Sequence, residues 1–129
     1  MANVVNTQIL VDGARNTVIK VTGVLDTANL TNVVIVDPAL LSPVPTQLRI
    51  DQVEFAISDP LGVLLRWDAA APVDALPLSG WGKLPFRQFG GLQNNAGVGK
   101  NGKITLSTVG WTAGTENFTV ILQLVKQGV

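Results

Sequence analysis

Apolar and polar residues alternate with a period of two through most of this chain. Thr17-Val18-Ile19-Lys20-Val21-Thr22 places Ile19 and Val21 on one face and Lys20 and Thr22 on the other. Glu116–Lys126 repeats the pattern over a longer span, with Phe118, Val120, Leu122 and Leu124 on one parity. Its other parity, Thr119, Ile121, Gln123 and Val125, is half apolar, so a sheet partner or a neighbouring subunit should cover it. Lys103–Thr108 directs Ile104 and Leu106 inward. Thr7–Val11 reads as a short strand, followed by turn chemistry in Asp12-Gly13-Ala14-Arg15-Asn16. After a polar connection, Asp26–Thr31, the run Asn32–Val36 is continuously apolar, the pattern of a strand buried on both sides.

Leu48–Ile57 changes parity midway. Leu48 and Ile50 share one face, whereas Val53, Phe55 and Ile57 share the other, which predicts a β-bulge or a switch between sheets at Asp51-Gln52. Ser58-Asp59-Pro60-Leu61-Gly62 predicts a tight turn in which Pro60 sets φ and Gly62 tolerates φ > 0. Val63, Leu65 and Trp67 then alternate as a strand paired with the preceding one in a hairpin. Prolines 38, 43 and 45 punctuate a loop, and Asp68–Gly80 is Ala/Pro-rich and reads as irregular. Leu84–Phe89 is a short strand that Pro85 confines to a sheet edge, and Gly90–Gly102 is a long loop. Seven or eight strands with no ten-residue helical period predict an all-β antiparallel β-sandwich, jelly-roll-like first, immunoglobulin-like or a small barrel otherwise. Residues 1–129 form one such domain, with an N-terminal arm of about residues 1–6.

Composition narrows the chemistry. The chain has no histidine and no cysteine, which removes imidazole bases and ligands, thiolate nucleophiles, disulfides and iron–sulfur ligation. Nine basic and nine acidic residues balance, so the clustered basic footprint of a nucleic-acid binder is not expected. Charged residues are 14% of the chain, against about 25% in typical soluble domains. Over an expected surface of about 6,600 Å², they give roughly one charge per 360 Å². No apolar run approaches the ~18 residues of a spanning helix, and Met1–Asn6 has no secretory pattern, so a membrane partner is not expected. A surface covered by other protein is the better account of the missing charge.

The short motifs carry little catalytic chemistry. Gly97-Val98-Gly99-Lys100-Asn101-Gly102-Lys103 matches a dinucleotide or phosphate-loop pattern, but the β-like run Ile104–Ser107 stands where the phosphate-holding helix would begin. Asp51 and Glu54 resemble a carboxylate pair only if the bulge realigns them, and otherwise flank Arg49 and Arg66. The aspartates beside Gly, Pro or Thr suit turns and caps rather than a calcium loop. Ser42, Ser58, Ser79 and Ser107 have no histidine base and no nucleophile elbow. No catalytic, metal or cofactor residues are therefore assigned. Of the three tryptophans, Trp67 ends an alternating strand and belongs to the core, whereas Trp81 and Trp111 lie in glycine-bounded loops and serve as interface anchors or as core.

Pro45-Thr46-Gln47-Leu48-Arg49-Ile50-Asp51, Leu64-Leu65-Arg66-Trp67-Asp68-Ala69 and Phe89-Gly90-Gly91-Leu92-Gln93-Asn94-Asn95-Ala96-Gly97 resemble the small virion structural proteins of tailed, cyanophage-like bacteriophages. Gly102–Thr108 and Leu122–Lys126 extend the resemblance over roughly residues 45–129. It implies a non-enzymatic capsid decoration or cement protein that binds across junctions of the major capsid protein and stabilises the expanded head. It also implies a head–tail connector or tail component as the alternative, and a carbohydrate-binding sandwich is a further one. The expected location is the capsid surface of the virion, after synthesis in the host cytoplasm. Expected partners are the major capsid protein and further copies of this chain, as a homodimer or homotrimer, with no nucleic acid and no membrane. The Pro38–Pro45 and Gly90–Gly102 loops and the arm would make contacts, with Trp81, Phe86, Phe89 and Trp111 as anchors.

Overall fold

Nine strands form two antiparallel sheets in a computed structural model that describes residues 3–112 and 114–127. In chain order they are β1 (Val4–Asp12), β2 (Asn16–Leu25), β3 (Val33–Val36), β4 (Gln47–Ile57), β5 (Gly62–Trp67), β6 (Val73–Ser79), β7 (Trp81–Pro85), β8 (Ile104–Val109) and β9 (Glu116–Gln127). The five-stranded sheet has the order β1-β2-β9-β4-β7 and the four-stranded sheet the order β3-β8-β5-β6. Pairings nest: β2 with β9, β3 with β8, β4 with β7 and β5 with β6. A long antiparallel ribbon rolled up in this way is a jelly roll, to which β1 adds an edge strand.

The inward rows of the two sheets make one core. From the five-stranded sheet come Ile19, Val21, Ile50, Val53, Phe118, Val120, Leu122 and Leu124, and from the four-stranded sheet Val36, Val63, Leu65, Trp67, Ile104 and Leu106. The alternation in β2, β5 and β9 thus points as the sequence predicts. The parity change in β4 is a bulge: Ile50 pairs with Leu124 and Gln52 with Gln123, leaving Asp51 as the extra residue. Trp67 is buried in the core.

Several expectations need correction. The turn at Ser58–Leu61 closes with a Leu61 N–H to Ser58 C=O bond of 2.9 Å, but β5 does not pair with β4. The turn instead carries the chain to the other sheet, because burying Val63, Leu65 and Trp67 requires only that β5 face the core, whichever sheet holds it. Gly62 opens β5 without a positive φ. Asp68–Gly80 contains β6, an edge strand that accommodates Pro77 because no strand among the described residues pairs with its far side. β3 is also an edge, and Val34 is 46% exposed rather than buried on both sides. The strand expected at Leu84–Phe89 runs from Trp81 to Pro85 and is an edge strand, and Arg87–Phe89 is a single 3-10 turn. Residues 4–6 of the expected arm belong to β1, held by β2, while residues 1 and 2 lie outside the described residues.

One ion pair ties the sheet's edge to its centre. The Lys126 side chain is fully buried, and its Nζ donates to Asp12 Oδ1 at 2.7 Å. Asp12 Oδ2 accepts the Ser42 N–H at 3.0 Å. The Lys126 hydrogen bond, reinforced by the Ser42 amide, holds the Asp12 carboxyl below its ordinary value. A carboxylate so lowered contributes its full stabilisation above the unfolded value of about 3.9 and loses it as pH falls through the folded one. The melting temperature is therefore expected to drop on acidification below about pH 4. Asp12→Asn should remove that part of the pH dependence and lower the melting temperature at neutral pH, because it strands a buried ammonium. Lys126→Met removes the buried charge itself and should cost less. Thermal melts of both variants across the acid range check this ordering.

Candidate protein-contact surface

Trp81 stands at the first position of β7 because of the residue before it. Gly80, at φ 69°, lets the chain pass from β6 in one sheet to β7 in the other within a single residue, and its carbonyl accepts the Ile57 N–H at 2.7 Å. β7 then pairs with β4 in a register that sets Trp81 opposite Ala56, Gly82 opposite Phe55 and Lys83 opposite Glu54. β4 in turn sets Ala56 opposite Thr119 and Glu54 opposite Ile121. Residues directly opposite share a face. Two rows therefore cross the outer surface, Trp81–Ala56–Thr119–Thr22 and Lys83–Glu54–Ile121–Lys20.

Trp81 is 85% exposed. It borders a shallow depression of about 540 Å³ lined by Glu54, Phe55, Ala56, Gly82, Lys83, Thr119 and Ile121. Glu54 also accepts a hydrogen bond from Gln52 Nε2 at 3.0 Å. The depression itself is mostly apolar, and the row that crosses it carries the acid Glu54 with Lys83 beside it and Lys20 at its far end. It can bury an apolar partner group against the indole while placing two charges at fixed positions beside it.

The other anchors proposed from sequence are not part of this face. Phe86 and Phe89 share one turn at the opposite end of β7: Phe86 N–H donates to Asp51 C=O at 2.7 Å, and Phe89 N–H donates to Phe86 C=O at 2.9 Å. Phe86 packs against the core, whereas Phe89 is 78% exposed. Trp111 lies in the β8–β9 connection, half-buried against the core, where its N–H donates to Asn29 Oδ1 at 3.0 Å and its Nε1 to Gly114 C=O at 3.1 Å. Two of the four therefore point outward and two pack inward. Trp81 opens a strand rather than lying within a loop. Ala56 and Lys83 were not singled out from sequence, although the half-apolar second parity of β9 already pointed to Ile121.

Several polar groups singled out from the sequence have local duties. Asp51, at the bulge, pairs with Arg49 at 3.0 Å, and Arg66 pairs with Asp74 at 2.9 Å. Asp51 and Glu54 are thus engaged separately rather than with each other. Asp37 caps the 3-10 turn Pro38–Leu40 by accepting the Ala39 N–H at 3.1 Å. The Gly97–Lys103 segment leads straight into β8, and Asn101 Nδ2 donates to Asp68 Oδ2 at 2.9 Å. Among the described residues no three carboxylates converge as a metal site. No family model, characterised protein or solved structure matches the chain.

Proposed function

We propose that this protein is a non-enzymatic capsid decoration protein of a tailed bacteriophage, which docks on the major capsid protein and stabilises the expanded head. The observation that carries the reading is the near-complete exposure of Trp81 on a sheet face, beside a mostly apolar depression. A large aromatic held on a strand loses few rotamers on contact and buries much area, which makes it suited to anchor an interface. The low charge density and the resemblance of residues 45–129 to small virion proteins support the same reading. A small domain bridging two shell subunits adds contact area that must be lost before the shell can open under genome pressure. A head–tail or tail component uses the same chemistry but assembles as a ring.

The test is co-sedimentation of the purified protein with expanded heads and with unexpanded procapsids. Binding to expanded heads alone is the expected result. Trp81→Ala should weaken it by about 30-fold or more, the effect of losing a central anchor of 2 kcal/mol. The same variant should melt like the parent, because so exposed a side chain contributes little to the core. Failure to bind either particle overturns the capsid reading. Trp81-dependent retention on a glycan array would instead favour sugar stacking.

A further inference from the structure

The two sheets have four edges, and three are guarded against further pairing. β7 carries Lys83 and Pro85, β6 carries Asp74 and Pro77, and β3 is only four residues long. β1 differs. Over Val4–Val11 it has no charged residue and no proline, and among the described residues no strand pairs with its outer edge. Val4, Ile9, Leu10 and Val11 are exposed along it.

We infer that β1 is the site at which a second copy of this chain docks, by antiparallel pairing of β1 with β1 about a two-fold axis, joining the two five-stranded sheets into one of ten strands. A strand paired with its own copy must be self-complementary, and partners across the axis must lie on the same face. Centred on Thr7, the register sets Thr7 against Thr7, Asn6 against Gln8 and Val5 against Ile9 of the second copy, and it brings Val4 beside Leu10. Polar meets polar and apolar meets apolar from Val4 to Leu10. Centring on Asn6 or Gln8 instead sets Thr7 against Val5 or Ile9, respectively. The register shift between Ile9 and Val11 falls on Leu10, so it touches only the outermost contact, Val4 beside Leu10, and leaves the pairs from Val5 to Ile9 undisturbed. Unpaired edge amides and carbonyls supply the hydrogen bonds, the chemistry of β-strand addition. Lacking charge, two such edges approach without repulsion.

The chain has no cysteine, which makes the test direct. Light scattering on the purified protein should give twice the chain mass. Thr7→Cys should form an interchain disulfide under mild oxidation, because residues directly opposite lie within reach of a disulfide. Asn6→Cys alone should not, whereas Asn6→Cys mixed with Gln8→Cys should. Thr7→Lys faces two ammonium groups across the axis and should give monomers with an unchanged fold by circular dichroism, and mixing it with Thr7→Glu should restore the dimer. A monomer at all concentrations, or a dimer that cross-links at other positions, overturns the assignment. The dimer does not depend on the capsid reading: a monomer that still binds heads through Trp81 would refute only the β1 pairing.

Discussion

Phe118→Ala is expected to lower the unfolding free energy by about 3–5 kcal/mol, the range for removing a fully buried aromatic. Phe118 lies on β9, the middle strand of the five-stranded sheet, and its ring belongs to the core shared by both sheets. Truncation removes the transfer energy of the ring and leaves a cavity between two sheets that the neighbouring strands cannot close. For a domain whose total stability falls within about 5–15 kcal/mol, the loss is a large share. Urea unfolding measures it as a fall in midpoint at constant slope. A loss below about 1 kcal/mol would mean that the sheets do not pack as described.

Gly23→Ala is expected to be harmful for the opposite reason. Gly23 on β2 sits opposite Phe118 on β9, and a Cβ at position 23 would lie within contact distance of ring atoms Cε1 and Cζ. The ring rests on bare backbone, and buried as it is, it cannot swing aside. Overpacking of this kind costs about 1–3 kcal/mol. The coupling is the sharper observable. Phe118→Leu shortens the group that the new methyl meets, so the double variant should be more stable than the sum of the two single losses implies, by about 0.5–3 kcal/mol. Strictly additive losses would show that the two positions do not touch.

The elements that sequence reading recovered are those with one face in the core and the other in solvent or under a neighbouring strand. The bulge at Asp51 was legible because Leu48 and Ile50 on one side, and Val53, Phe55 and Ile57 on the other, must all reach the same interior. The partner of β5 was not legible. Val63, Leu65 and Trp67 specify an inward face, but the inward faces of both sheets have the same polarity, and no local pattern separates a hairpin from a crossing. β6 was hidden by Pro77, a residue that an edge strand tolerates and a central one does not. Val34 shows the converse: a continuous apolar run at an edge stays partly exposed. Trp81 and Trp111 both follow a glycine, yet Gly80 delivers one onto an open sheet face while Asn29 and Gly114 hold the other against the core.

The nested strand pairs constrain the order in which a nascent chain can fold. β2 and β4 meet only through β9, so the five-stranded sheet has no centre until residues 116–127 have left the ribosome. Until then, the apolar rows of β2 and β4 lack the strand that joins them into one sheet. The seam between β2 and β9 must also span residues 26–115, and contacts so distant along the chain place folding in the range of about milliseconds to seconds rather than microseconds. Premature release before β9 is translated would leave an aggregation-prone fragment.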